Sequence, residues 1–554
     1  MNKNKILTPA LALAGLILFA SCDGSSPASS SLLSNATSSS ASTSLTSSPF
    51  SSASVLPLGV SQGNDAQATR LHNHPSLSVL KAGVLNSIGK RKILVVPITF
   101  QNCASFTSGD IAAITKAYNG SAEETGWQSL KSYYETSSYG QLDIESTIAS
   151  PYVVPLDDYN RTTAADTASD LSFEGQIYRK KYSVESLADD VVKKLAESYT
   201  LSDYDQDQDG LLDGLEMVYI GGREWNGDSS DPTEVWWNFT SIAHPSNEGS
   251  TPLAGIFFWS QLSQLENGYY SPDIDAHTLV HESGHMLGLN DYYCYDTNDD
   301  GRALENPAGF VDMMDCNIAD QNAYSKYALG WVNPKYVNGQ SADFSLTLSS
   351  FADTGDCLLF RNTTNDPWNQ TPYDEYLLLQ YFTPSGDNEQ DSVKGYPEWK
   401  SSGVGGAYKK PGLQLFHVDA RTAINADTPT QIAYSDKLRD DSFIVADNTP
   451  SYSLDVAKTK ASGTSTYNSS NRLLEAIPAT GIDYFGGSSY EHFGDQAVLF
   501  GLPEYGCGGT TFSMASMKNL FPNGTLFNDG SEPGYAFTIT AQTDKNITLH
   551  FYQA

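Results

Sequence analysis

Basic residues are scarce in this chain: 32 Lys and Arg stand against 65 Asp and Glu in 554 residues, a formal net charge of −33. That balance excludes a nucleic-acid or anionic-membrane surface, since both need Lys and Arg to meet phosphates. Apolar runs are scarce too. Only Ile6 to Ala20 forms a long one, and there is no internal repeat and no coiled-coil heptad pattern. Cysteine is sparse, at six, and if Cys22 is set aside as a processing site the odd remainder cannot pair completely. The length allows two to four domains with substantial cores.

What is present begins with a targeting segment. Lys3 and Lys5 precede the apolar run, and Ser21-Cys22 follows it. This order resembles a bacterial lipoprotein signal, with Cys22 as the lipidated first residue of the mature chain, although Phe19 stands where Leu is commoner. Plain secretion is the alternative; the run is short for a transmembrane helix and contains Pro9. From Asp23 to about Ser61, Ser, Ala and Thr dominate with few large apolar side chains. Such a tether buries too little surface to fold. The expected division is a signal over 1–22, a tether over 23–66, a catalytic domain over 67–335 and a β-rich domain over 336–554.

Residues 281 to 291 read His-Glu-Ser-Gly-His-Met-Leu-Gly-Leu-Asn-Asp. On a helix, His281 and His285 lie one turn apart on one face, so both imidazoles can reach a single zinc ion, with Glu282 beside them as the general base. Gly288 supplies the positive φ that commonly ends a helix, and Asp291 can return as the third ligand, leaving a fourth position open. A bare H-E-x-x-H arises by chance in roughly one chain in a hundred of this size, and requiring the Gly and Asp lowers that about a hundredfold. His277 shares the face but lies about 12 Å along the axis from His285, too far to join the same tetrahedral ion. Asp275 is expected to cap the helix, and Ala276, Leu279, Val280, Met286 and Leu287 form its apolar stripe.

Upstream, Asp205-Gln-Asp207-Gln-Asp209-Gly210-Leu211-Leu212-Asp213-Gly-Leu-Glu216 matches the twelve-residue calcium-loop template. Asp205, Asp207, Asp209, the Leu211 carbonyl, Asp213 and Glu216 are the expected calcium ligands. Met217 to Ile220 reads as a strand, so this is a calcium loop outside a true EF-hand pair. Asp296-Thr-Asn298-Asp-Asp300-Gly301 is a weaker echo without the closing glutamate. Cys294 and Cys316 bracket the loop after the helix, where a disulfide and a reduced, buried role are both open. None of the cysteines lies in the metal motif, so no thiol chemistry is assigned. In Gly309-Phe-Val-Asp312-Met313-Met314-Asp315, Met314 is the candidate apolar floor beneath the metal, with Met313 next.

Short strands are expected at Lys92 to Phe100 and, after a helix end and turn, near Leu142. Further runs at Phe344–Leu348, Tyr376–Phe382, Leu413–Val418, Phe537–Thr540 and Ile547–Tyr552 suggest a sandwich. His417 and Asp419 alternate to one face there, in a structural role.

The Tyr-Tyr-x-x-x-Ser-Tyr-Gly segment at 133–140, the Asp-rich loop, the extended zinc motif ending Asp-Tyr-Tyr, the Asp-Met-Met turn and Ala-Tyr-Ser-Lys-Tyr-Ala-Leu-Gly-Trp-Val at 323–332 together resemble the immune inhibitor A family of secreted bacterial metallopeptidases. Coverage is roughly 90 to 335, with a further likeness at Gly412–Asp419. The resemblance departs at Asn290, where Pro is common, and near Phe310 and Val311, where Trp is. It implies an α/β (α+β) metzincin-like zinc peptidase domain, calcium, and endopeptidase activity with His281, His285 and Asp291 as ligands and Glu282 as base. The expectation is thus a monomeric zinc metalloendopeptidase, lipid-anchored at the bacterial surface, that cleaves extracellular proteins or peptides. The alternative is a surface adhesin or binding lipoprotein on an inactive peptidase scaffold. Tyr324 is the candidate donor to the developing oxyanion.

Overall fold

The structure is a computed structural model describing residues 56–71, 84–100, 105–154, 184–220, 239–242, 252–262, 265, 274–298, 303–337, 343–361, 368–394, 406–424, 442–462, 466–468, 470–489 and 491–553. The signal segment, most of the tether, Cys22, Cys103, Asp300 and Gly301 lie outside these residues. Mixed helix and sheet make the class α+β. Among the described residues no helix is long and apolar enough to cross a membrane.

The first strand, β1 (Val60–Gln62), belongs to a sheet whose other strands come after residue 334. Part of the segment expected to be tether is therefore a paired strand. The next sheet surrounds β2 (Gly89–Phe100), whose β-branched run was expected from the sequence. Strands β3 (Leu142–Ile148), β4 (Tyr152–Val154) and β5 (Leu215–Tyr219) pair with β2 in parallel. The far edge continues through β6 (Phe239–Ile242) and β7 (Ile256–Gln261), where β7 is parallel to β5 and β6 runs antiparallel.

The pleat divides β2 between two cores. Ile93 and Val95 enter one, while Leu94, Val96 and Ile98 enter the other. On the second face packs helix α3 (Val184–Leu195). On the first face lie α1 (Ser108–Asn119), α2 (Leu130–Ser137) and α4 (His277–Met286). Thr107 and Asp110 form a reciprocal capping box at the start of α1, and Ser129 and Ser132 do so for α2. Two short helices follow α4: α5 (Met313–Cys316) and α6 (Ala323–Ala328).

The rest of the chain adds β8 (Lys335–Val337), β9 (Asp343–Ser349), β10 (Cys357–Phe360), β11 (Glu375–Phe382) and, after α7 (Glu389–Lys394), β12 (Gly412–Asp419). The pair β13 (Thr422–Ile424) and β14 (Ser442–Ile444) stands alone, and β15 (Leu474–Ala476) completes the order β1-β8-β10-β11-β12-β15. A second sheet, β16 (Thr511–Phe512), β17 (Tyr535–Gln542), β18 (Asn546–Gln553) and β9, packs on it face to face as expected for a sandwich.

The six-stranded sheet is buried on both faces. Leu377, Leu379 and Tyr381 of β11 point into the sandwich, while Tyr376, Leu378 and Phe382 join the same core as α4. That core runs from Ala66 to Leu499 without a break at residue 335, and the expected boundary falls inside β8. Charged contacts cross it as well, since Asp391 of α7 faces His277 of α4.

Candidate metal centre

Helix α4 carries the two histidines one turn apart, their rings 4.9 Å between centroids and nearly perpendicular. Gly288, at φ +96°, ends the helical path and reverses the chain. Asp291 returns with its Oδ1 2.9 Å from His281 Nε2 and 3.3 Å from His285 Nε2. The other ring nitrogens are spoken for: His281 Nδ1 donates to the Met313 carbonyl at 2.7 Å and His285 Nδ1 to the Leu289 carbonyl at 2.8 Å.

This geometry has a direct electrostatic consequence. In the neutral tautomer that donates through Nδ1, each Nε2 presents a lone pair, and both lone pairs face a carboxylate oxygen. Such an arrangement is repulsive unless positive charge lies between. Among the described residues, His281 Nε2 and Asp291 Oδ1 are buried and have no partner in hydrogen-bond geometry. Donors arranged tetrahedrally about 2.0 Å from a zinc ion are roughly 3.3 Å apart, close to the observed separations. A proton can serve in its place: burial alone would lower the His285 imidazole, but Asp291 overrides it and raises it to about 9. Reciprocally, burial would raise the Asp291 carboxyl, but His285 and His281 hold it well below the usual range.

Beneath the helix, the α5 turn supplies two different supports. A Cβ at Gly284 would run into the Met314 sulfur, so glycine there allows Met314 to lie directly against α4. Met313 acts through its carbonyl on His281, a role that side-chain reasoning from the sequence did not contain. Asp312 and Asp315 hold this turn by accepting from Met314 N at 2.8 Å and Phe310 N at 2.7 Å. Tyr292 N in turn donates to the Met314 carbonyl at 2.7 Å, tying the Asp291 loop to the floor.

Glu282 is buried on α4, and its charge is felt by His285 and Tyr293. Tyr293 lays its ring nearly parallel to His281, 6.3 Å between centroids, and burial, with Asp291 and Glu282 nearby, raises its hydroxyl pKa. Tyr295 donates its hydroxyl to Asp291 Oδ2, so the two carboxylate oxygens have separate tasks. Tyr293 and Tyr295 lie beside the cluster, whereas the sequence singles out Tyr324. Tyr324 is buried in the shared core beside Tyr292, with Tyr373, Tyr376 and Asp419 as its other neighbours. The run Asp-Tyr-Tyr-Cys-Tyr at 291–295 was the available signal for these two tyrosines.

His277 stands apart from the candidate ligands, as its spacing implied. It is fully buried, 2.6 Å from Asp275 Oδ1 through Nδ1 and 3.3 Å from Asp391 Oδ1 through Nε2, and stacked on Trp127 at 3.6 Å. Burial would lower its pKa, but the two aspartates raise it to about 9. Asp275 accepts from His277 N at 3.0 Å, while the N-cap itself is Ala276 and makes no side-chain cap bond.

The acidic loop gathers only part of its template. Oxygens of Asp205, Asp207 and Asp209 lie within 4.8 Å of one another, and Gly210 makes the bend at φ +91°. Gly210 N donates to Asp205 Oδ2 at 3.2 Å, Leu211 N to Asp209 Oδ1 at 2.7 Å and Gln206 N to Asp213 Oδ2 at 2.9 Å. Asp205 Oδ1 and Asp213 Oδ1 are buried without a partner among the described residues. Glu216 is the correction. The chain leaves the loop as β5, and the pleat sends Leu215 and Met217 to the α3 side but Glu216 beneath α4. There it accepts from the Ser283 hydroxyl at 3.1 Å and faces Tyr118, away from the aspartates.

Cys294 and Cys316 are free thiols, which answers the open disulfide question. In the echo of the acidic loop, Asp296 binds Ser451 N and Oγ at 2.9 and 2.7 Å. His417 bonds Glu375 at 2.9 Å, and Asp419 pairs with Arg421 at 2.7 Å, the structural roles expected of them.

A scan against protein-family models found no match to this chain, and a search of curated proteins found none either.

Proposed function

We propose that the chain is a zinc-dependent endopeptidase of extracellular proteins, built on a metzincin-like domain and held at the bacterial surface by lipid on Cys22. The observation that carries the reading is the convergence of two Nε2 lone pairs on Asp291 Oδ1, with Glu282 buried beside them. Two imidazoles and a carboxylate leave a fourth position of a tetrahedral ion open, as a hydrolytic site requires. Zinc there would polarise a peptide carbonyl and acidify a water molecule.

The remaining steps belong to the protein. Glu282 accepts the proton of the attacking water and delivers it to the leaving amine. The carbonyls of Met313 and Leu289 keep His281 and His285 in the tautomer that offers Nε2. Tyr293, whose ring lies nearly parallel to that of His281 at 6.3 Å, is the candidate donor to the developing oxyanion. Calcium is proposed at Asp205, Asp207 and Asp209, where partnerless oxygens of Asp205 and Asp213 favour a cation. The intact Glu282 weighs against a binding-only scaffold, which needs no base. Casein cleavage by the purified protein should be abolished by a zinc chelator and restored by added zinc. Cleavage indifferent to the chelator, or none with zinc bound, would overturn the reading.

A further inference from the structure

The loop carrying the third candidate ligand is irregular: after Gly288, residues 289–296 form neither helix nor strand. Local bonds fix its start, where Leu289 N donates to the Gly284 carbonyl at 3.1 Å; beyond that the Met314 carbonyl accepts from Tyr292 N at 2.7 Å, and a distant dock holds the Tyr292 carbonyl and the Tyr295 amide. The dock is the turn at 445–453, more than 150 residues later in the chain. Asn448 is completely buried, and its side-chain amide is fully used. Its Nδ2 donates to the Tyr292 carbonyl at 2.6 Å and to the Leu474 carbonyl at 2.9 Å, while Oδ1 accepts from Leu474 N at 3.0 Å. The adjacent Thr449 accepts the Tyr295 amide on Oγ1 at 3.0 Å.

Both grips bear on Asp291. Tyr292 follows it directly in the chain, and Tyr295 donates its hydroxyl to Asp291 Oδ2. Asn448 is itself tied to β15, at the edge of the sheet that is buried on both faces. The loop is thereby referenced to a rigid element of the C-terminal part of the chain. We propose that Asn448 and Thr449 are positioning residues for the Asp291 side of the metal centre, so that the C-terminal part sets how tightly the site holds its cation. This rests on the metal-site reading above. Groups that orient a ligand through hydrogen bonds commonly change metal affinity by about ten- to a hundredfold when removed.

The test uses the full chain loaded with cobalt(II), whose visible absorption reports coordination geometry, together with zinc titration against a chromogenic chelator. Thr449→Val keeps the side-chain shape but removes the acceptor for Tyr295 N, whereas Thr449→Ser retains it. The expected result is about tenfold weaker zinc binding and an altered cobalt spectrum in Thr449→Val, with Thr449→Ser close to wild type. Asn448→Ala should act in the same direction and more strongly; if it does not fold, the threonine pair decides the matter. Wild-type zinc affinity and an unchanged cobalt spectrum in Thr449→Val would overturn this inference alone. Failure of the wild-type chain to take up either metal would overturn the metal reading and this inference with it.

Discussion

The Ser283 hydroxyl donates to Glu216 Oε1 at 3.1 Å, joining the strand that leaves the acidic loop to the helix that carries the histidines. Glu216 is completely buried, and burial, partly offset by Tyr118 and Ser283, pushes its pKa up to about 8. A carboxyl with a raised folded-state pKa holds its proton while the unfolded chain gives it up. Stability is therefore greatest below the unfolded value of about 4.5, falls as pH rises from there, and levels off above about 8. In chelator, wild type should lose more stability between pH 5 and 9 than Glu216→Gln, which keeps a neutral group in place. Denaturant midpoints across that range are the measurement; parallel curves for the two proteins would contradict the assignment.

Glu282→Gln preserves shape and removes the base. Zinc content should be unchanged, while the peptidase rate should drop by about a hundredfold to ten-thousandfold. In contrast, His281→Ala, His285→Ala and Asp291→Ala should lose zinc and activity together. Elemental analysis and peptide cleavage on the same preparations separate the two patterns. Full activity in Glu282→Gln would exclude it as the base.

His277 supplies the positive member of a buried triad with Asp275 and Asp391. His277→Ala leaves two buried carboxylates without their partner, a change that commonly costs about 3–5 kcal/mol. Chemical denaturation should reveal that loss, and zinc stoichiometry of the folded variant should stay at the wild-type value. A folded His277→Ala protein that no longer holds zinc would make His277 part of the metal site after all.

Calcium should raise the melting temperature of wild type by binding the folded state alone. Asp207 belongs to the oxygen cluster and is exposed, so Asp207→Ala should abolish that rise with little effect of its own. Glu216→Gln should keep the rise, since Glu216 lies under α4. The opposite outcome, a response lost in Glu216→Gln and kept in Asp207→Ala, would restore the full twelve-residue ligand set.

How much of this was legible in the sequence follows from distance along the chain. The spacing of His281 and His285, the stop at Gly288 and the return of Asp291 are encoded within eleven residues, where helical geometry converts spacing directly into proximity. The same holds for the aspartates at alternate positions from 205 to 209, and for β2, whose β-branched run identifies a buried strand. Tertiary structure alone decided that Glu216 turns beneath α4, because the pleat of β5, not the loop template, governs the residues after Asp213. It likewise set Tyr293 beside His281 and Tyr295 on Asp291, paired His277 with Asp391 across 114 residues and set Asn448 against Tyr292 across 156. These choices depend on how a sheet buried on both faces brings distant segments to one helix, and no local periodicity carries that information.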